Sequence, residues 1–130
     1  MQLNGKTIII TGASKGLGVE MARICSRAGA SVVLAARSIE RLEAIAEEIT
    51  ATGKRALAIE CNVTRKSDIV RVVEETVSAF GRIDGLINNA GVNFVKPFLE
   101  TTEEEWDHIM DVDLKGSFFL TQACAKQMIK

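Results

Sequence analysis

Thr7-Ile8-Ile9-Ile10-Thr11-Gly12-Ala13-Ser14-Lys15-Gly16-Leu17-Gly18 decides how this chain is read, because it joins a β-branched apolar run to a helical period through three glycines. Thr7 to Ile10 is almost continuously apolar, as a parallel strand covered on both faces should be. From Leu17 the apolar spacing becomes three and four, with Met21, Ile24, Cys25 and Ala28 on the expected inner stripe. Gly29 follows where a helix needs a left-handed stop. Three glycines at these offsets arise from composition alone in roughly one chain in twenty-five of this length. The strand before them and the helix after them give the pattern its meaning. Gly12 is expected to turn the chain out of the strand, Gly16 to let backbone approach a pyrophosphate, and Gly18 to pack helix against sheet. The helix N-terminus adds unpaired N–H groups and partial positive charge. Ser14 is read as a phosphate-contacting hydroxyl, with Lys15 and Leu17 beside it in the loop.

The same alternation continues outward. Val32 to Ala36 is a second buried strand. Leu42, Ile45, Ala46 and Ile49 then form a helical stripe that Gly53 ends, and Ala56 to Glu60 makes a third strand. The spacing predicts a helix from about Lys66, with Ile69, Val72, Val73, Val77 and Phe80 inward and Gly81 closing it. Ile83 to Asn88 is the fourth strand. After Pro97, Thr101 and Glu104 stand at capping-box spacing, so a helix is expected near Thr102, with Trp106, Ile109 and Met110 on its apolar face. A break is expected near Gly116, since glycine costs about 1 kcal/mol inside a helix. Leu114, Phe118, Gln122, Ala125 and Ile129 carry a later stripe. Four strands joined by right-handed crossovers give a Rossmann-like α/β fold, an open parallel sheet of order 3-2-1-4 with helices on both faces.

Bulk properties narrow the function. At 130 residues with 47% hydrophobic content, the chain fits one domain, 1–130, and has no room for a second. A net charge of -1 and the lack of a dense Lys/Arg run argue against nucleic acid or a membrane surface as partner. Met1 to Ile10 lacks the pattern of a cleaved leader, and no run approaches the roughly 18 apolar residues that span a bilayer. Cys25, Cys61 and Cys124 are far apart and odd in number, and no Cys or His lies close to any of them, which speaks against a disulfide framework or a zinc site. They read as buried reduced thiols of a cytoplasmic protein.

Gly-x-x-x-Gly-x-Gly after Thr11, together with Asn88-Asn89-Ala90-Gly91 after the fourth strand, resembles the short-chain dehydrogenases/reductases, including the 3-oxoacyl carrier-protein reductases. The resemblance covers the whole chain and implies a nicotinamide dinucleotide as ligand. It places Asn62, with Val63 beside it, where the family faces the adenine. Asp is commoner there, but the Asn oxygen is expected to accept the adenine amino hydrogen. It places Asn89 and Gly91 where the family lines the adenosine ribose. An NAD enzyme wants a carboxylate about 20 residues beyond the glycines to bond both ribose hydroxyls. Ala36 stands there instead, followed by Arg37. With Lys15 in the loop, two cations are expected to converge on a 2'-phosphate, so NADP(H) is expected to be preferred over NAD(H).

The family's proton donor is a Tyr whose pKa is lowered by a Lys four residues later, with a Ser upstream that holds the carbonyl. The resemblance puts all three beyond Lys130, and the chain contains no Tyr. No catalytic residue is therefore assigned, and the chain is expected to be the nucleotide-binding half of such an enzyme, with the catalytic half absent. Val112-Asp113-Leu114-Lys115-Gly116 matches the family's Val-Asn-Leu-Lys-Gly stretch, with Asp113 at the position of its catalytic Asn. His108, the one imidazole, is expected on a wet helix face rather than in an acid role. Two alternatives remain at this point: part of a carbonyl reductase completed by a partner chain, or a non-enzymatic interaction module. Ile83, Leu86 and Ile87, with Leu114, Phe118 and Phe119, imply apolar surface at the sheet edge and last helix, so a homo-oligomer is expected.

Overall fold

The computed structural model describes residues 2–130, so Met1, the first residue of the stretch read for a leader, lies outside it. Strands β1 (Thr7–Thr11), β2 (Ser31–Ala36), β3 (Ala56–Glu60) and β4 (Gly85–Ile87) form one parallel sheet in the order β3-β2-β1-β4, as the alternation predicts. The register pairs Ile9 with Val33 on one side and with Leu86 on the other. Residues alternate across the pleat, so neighbours on one strand serve opposite cores. Ile9, Val33, Ala35 and Ile59 face helices α3 (Lys66–Phe80) and α5 (Ser117–Met128). Ile10, Val32 and Leu34 face α1 (Leu17–Arg27) and α2 (Ile39–Thr50). Helix α2 follows the predicted stripe; in α3 Ile69 and Val72 are buried as predicted, Val73, Val77 and Phe80 are half-buried, the buried face also includes Thr76, and Gly81 closes the helix in the left-handed conformation.

Other details depart from the sequence reading. The buried face of α1 is Gly18, Ala22 and Ser26, not the stripe of larger residues. Ile24 is 57% exposed, while Met21 and Cys25 only flank the contact. Small residues win because they let the helix approach the sheet and the loop after β1 closely. The cap of α4 (Glu103–Ile109) is Thr102, whose Oγ1 accepts from the Glu105 amide at 3.2 Å, one residue later than expected. Thr101 is occupied elsewhere, donating to the Pro97 carbonyl at the end of a single 3-10 turn. Trp106 lies exposed, and only Ile109 and Met110 are half-buried.

No break occurs at Gly116. The chain runs from α4 through a π-helical segment, Met110–Gly116, directly into α5. A Cβ on Gly116 would lie 2.8 Å from a Val63 methyl and 2.9 Å from the Val63 carbonyl. Glycine is there for contact rather than interruption. The buried seam is Val112, Gly116, Leu120 and Cys124, four residues apart, which leaves Leu114 and Phe118 about 60% exposed. No helix of the described residues is long and apolar enough to cross a membrane.

β4 is shorter than the apolar run suggests because polar groups hold both its ends. At its start the Asp84 carboxylate accepts from the Thr7 amide at 2.9 Å and from Arg82 at 2.6 and 2.7 Å. Arg82 is the chief cause holding the Asp84 carboxyl below its ordinary range. A depressed pKa stabilises the folded state above the unfolded value, near pH 4, and that contribution fades as pH falls through and below it. Asp84→Asn should therefore cost about 1 kcal/mol at pH 7. Denaturant titrations should show the two proteins converging below about pH 4, and a gap unchanged down to pH 3 would contradict this role.

Candidate functional site

The loop after β1 and the loops after β2, β3 and β4 meet at the carboxyl end of the sheet, around a cleft of about 860 Å3. That is where open α/β sheets hold ligands, at the point where strand order reverses. The size suits a small molecule rather than a macromolecule. Thr11, 1% exposed, ties two of these loops together. Its hydroxyl accepts from the amides of Asn89 and Ala90 at 3.0 and 2.9 Å and donates to the Ile87 carbonyl at 3.4 Å. The end of β4 is thereby locked over the end of β1.

The glycines occupy three different environments. Gly12 lies against the Asn89–Ala90 backbone, where a Cβ would meet atoms at 3.0 Å. Gly16 has φ 60° and ψ -135°, and a Cβ placed there would meet nothing within 4 Å. It forms the open floor of the cleft. Gly18 does not border the cleft. A Cβ there would lie 2.3 Å from the Gly12 carbonyl oxygen and 2.8 Å from the Asn89 amide nitrogen, so it seats the helix against the loop rather than against the sheet.

The remaining expected residues divide. Ser14, Lys15, Leu17, Arg37, Asn62, Val63, Asn89 and Gly91 all border the cleft with Gly12 and Gly16. Asn89, however, spends its side-chain donor on the Gly12 carbonyl at 3.2 Å. The Asn62 oxygen, expected to accept from an adenine amino group, already accepts from the Thr64 amide and hydroxyl at 3.0 and 2.7 Å. Those bonds fix the loop after β3 and leave the Asn62 amide hydrogens without a protein partner among the described residues. Asp113 stands behind the wall, its Oδ1 accepting from the Val92 amide at 2.8 Å. His108 is exposed, as expected, yet it borders the cleft with its ring centroid 6.1 Å from that of Phe94.

Arg41 and Ser38 were not singled out in the sequence. Both border the cleft beside Arg37. The available signal is spacing: Ser38 stands immediately before α2, and Arg41 lies within its first turn. Neither Gly16 nor Ser38 supplies a side-chain cap, so the leading N–H groups of α1 and α2 are left for another partner. Among the described residues, Lys15, Arg37 and Arg41 are in no ion pair, and no carboxylate borders the cleft. The arrangement concentrates unneutralised positive charge, the electrostatics of an anion site.

Nucleophilic chemistry finds little support here. Burial, with a smaller push from Asp68, raises the Cys61 thiol at the cleft wall to about 11, and burial raises Cys124 equally. Both are thiols at neutral pH. Cys25 is half-buried rather than buried, and burial raises it too. Among the described residues no three His, Cys, Asp or Glu side chains are grouped to hold a metal.

Known proteins share this fold. A 3-oxoacyl-acyl-carrier-protein reductase of Staphylococcus epidermidis is 36% identical over 126 residues, covering 96% of this chain and 52% of the relative. The crystal structure of a short-chain type dehydrogenase/reductase from Mycobacterium marinum superposes with TM-score 0.93 at 36% identity, over 97% of this chain and 51% of that one. A metagenomic short-chain oxidoreductase crystallised in complex with NADP gives TM-score 0.90 at 39% identity, over 98% and 58%. The chain thus spans about half the length of the relatives it matches. The short chain dehydrogenase family pattern runs through residues 6–130, from the first strand past the glycine loop, the Asn-Asn-Ala-Gly turn and the last helix, and the chain belongs to that family.

Proposed function

We propose that this chain binds NADP(H), in preference to NAD(H), as the nucleotide-binding half of an oxidoreductase. The observation that carries the reading is the charge of the cleft: Lys15, Arg37 and Arg41 without an ion-pair partner, and no carboxylate on the wall. A carboxylate at the end of β2 is what a ribose diol needs, and Ala36 stands there. The open floor at Gly16 and the uncapped N-terminus of α1 suit the pyrophosphate. Arg37, Arg41 and the uncapped start of α2 suit a further phosphate on the adenosine ribose. At the adenine, the free hydrogens of Asn62 suit ring nitrogens rather than the amino group. The complex of the metagenomic relative with NADP supports the same assignment.

The nicotinamide group supplies hydride chemistry when bound. These 130 residues include no tyrosine to deliver the accompanying proton, so the chain is expected to bind without reducing a carbonyl by itself. Its unpaired cysteines fit a reducing compartment, the cytoplasm. Exposed Leu114 and Phe118, with the outer edge of β4, favour self-association.

Titration calorimetry with NADPH and NADH tests the reading. NADPH is expected to bind about tenfold to a hundredfold more tightly, the worth of a hydrogen bond between charged groups. Arg37→Ala should erase most of that difference and leave NADH affinity nearly unchanged. Equal affinities in the unaltered protein would sink the preference.

A further inference from the structure

We infer that Asp113 biases the cleft towards the oxidised form of the cofactor; the inference rests on the reading of the cleft given above. β1 and α1 stand at the middle of the site, so a dinucleotide with its pyrophosphate at Gly16 extends in two directions. The half carrying the extra phosphate belongs over β2 and β3, where Arg37 and Arg41 lie. The nicotinamide half then lies over β4, against Val92 and Phe94.

Two carboxylates hold backbone amides of this wall, one at each end. Asp68 accepts from the Asn62 amide at 2.8 Å and is partnered by Arg71 at 3.4 Å. Asp113 accepts from the Val92 amide at 2.8 Å, and a Cβ on Gly91 would lie only 3.5 Å from its oxygen. Among the described residues no cation pairs with Asp113. Lys96, the cation of the loop after β4, is bound to Glu105. The nicotinamide end of the cleft therefore carries one uncompensated negative charge directly behind its wall, whereas the opposite end is cationic.

An oxidised nicotinamide ring is formally positive and a reduced ring is neutral. A fixed negative charge close by stabilises the first and is indifferent to the second. The hydrogen bond to Val92 needs only an oxygen acceptor, which asparagine also provides, so the charge is separable from the scaffold role. Asp113 is thus a residue that determines specificity between redox forms, acting through space rather than by contact with reacting atoms. Because the side chain is exposed, solvent screens the effect to a modest factor.

Calorimetric titration of the 130-residue chain with NADP+ and NADPH separates the possibilities. Asp113→Asn should weaken NADP+ relative to NADPH by about threefold to tenfold. Amide hydrogen exchange at Val92 should stay slow in the same variant. Asp113→Glu, which keeps the charge, should keep most of the bias, and Asp113→Ala should lose both bias and Val92 protection. A ratio unmoved in Asp113→Asn while NADPH binds normally would overturn the inference and leave the cleft reading standing. Failure of the unaltered chain to bind either nucleotide would overturn the cleft reading and this inference with it.

Discussion

Gly18→Ala is expected to be among the most damaging single changes in this chain, although it adds one methyl group to a helix. The new Cβ would stand 2.3 Å from the Gly12 carbonyl oxygen, 2.8 Å from the Asn89 amide nitrogen and 2.9 Å from the Ala13 Cα. Two of those atoms are backbone, and the third belongs to a side chain already bonded to the Gly12 carbonyl. None is the free end of a flexible group. Relief requires α1 to lift from the loop, and α1 is buried along Gly18, Ala22 and Ser26, so the whole face must shift. Overpacking of this kind costs about 3 kcal/mol. The gain in helix propensity, about 1 kcal/mol, does not offset it. Thermal unfolding followed by circular dichroism should show the midpoint falling by about 10 °C. NADPH affinity should fall too, because the displaced helix no longer aims its N-terminus at the cleft. A midpoint within a degree of the unaltered protein would show that the loop accommodates the methyl group.

The same helix shows what was legible in the sequence and what was not. Strand order, the glycine loop, and the stripes of α2 and α3 follow from hydrophobic period and glycine placement, because in those elements large apolar residues line the face turned to the core. In α1 they are not, and in α5 Leu120 is buried while Phe118 and Phe119 are exposed. Close backbone approach selects Gly18, Ala22 and Ser26 in α1 and Gly116 at the entry to α5. Ranking residues by hydrophobicity selects the wrong face of α1, and ranking them by helix propensity turns Gly116 into a break. Spatial neighbours explain the other differences. Thr11 closes the cleft through amides 78 and 79 residues away. The Asn62 oxygen, which the family resemblance assigns to a ligand, is taken by Thr64, two residues on. Arg41 needed only the start of α2 to be known to within a residue. Of the expected contact residues, all but Gly18 meet at the cleft, since loops at the carboxyl ends of adjacent parallel strands converge there whatever their side chains.

Gly16→Val separates function from stability where Gly18→Ala cannot. Nothing lies within 4 Å of a Cβ at Gly16, so the substitution meets no packed neighbour in the chain itself. Its cost to folding is conformational: φ 60° with ψ -135° is a region that a β-branched residue resists, at about 1–3 kcal/mol. Circular dichroism should remain helical, with a midpoint lowered by an amount comparable to that in Gly18→Ala. Binding should suffer far more. The space that is open above Gly16 is the space assigned to the pyrophosphate, and valine fills it with two methyl groups beside the uncapped N–H groups of α1. NADPH and NADH should both weaken by about a hundredfold or more, since the phosphates lose about 3 kcal/mol of contact. The effect differs in kind from that of Arg37→Ala, which removes the preference for one cofactor and spares the other. Calorimetry on the two variants side by side distinguishes a blocked cradle from a lost charge. A Gly16→Val protein that folds and binds NADPH as tightly as the parent would show that the ligand does not cross the glycine loop.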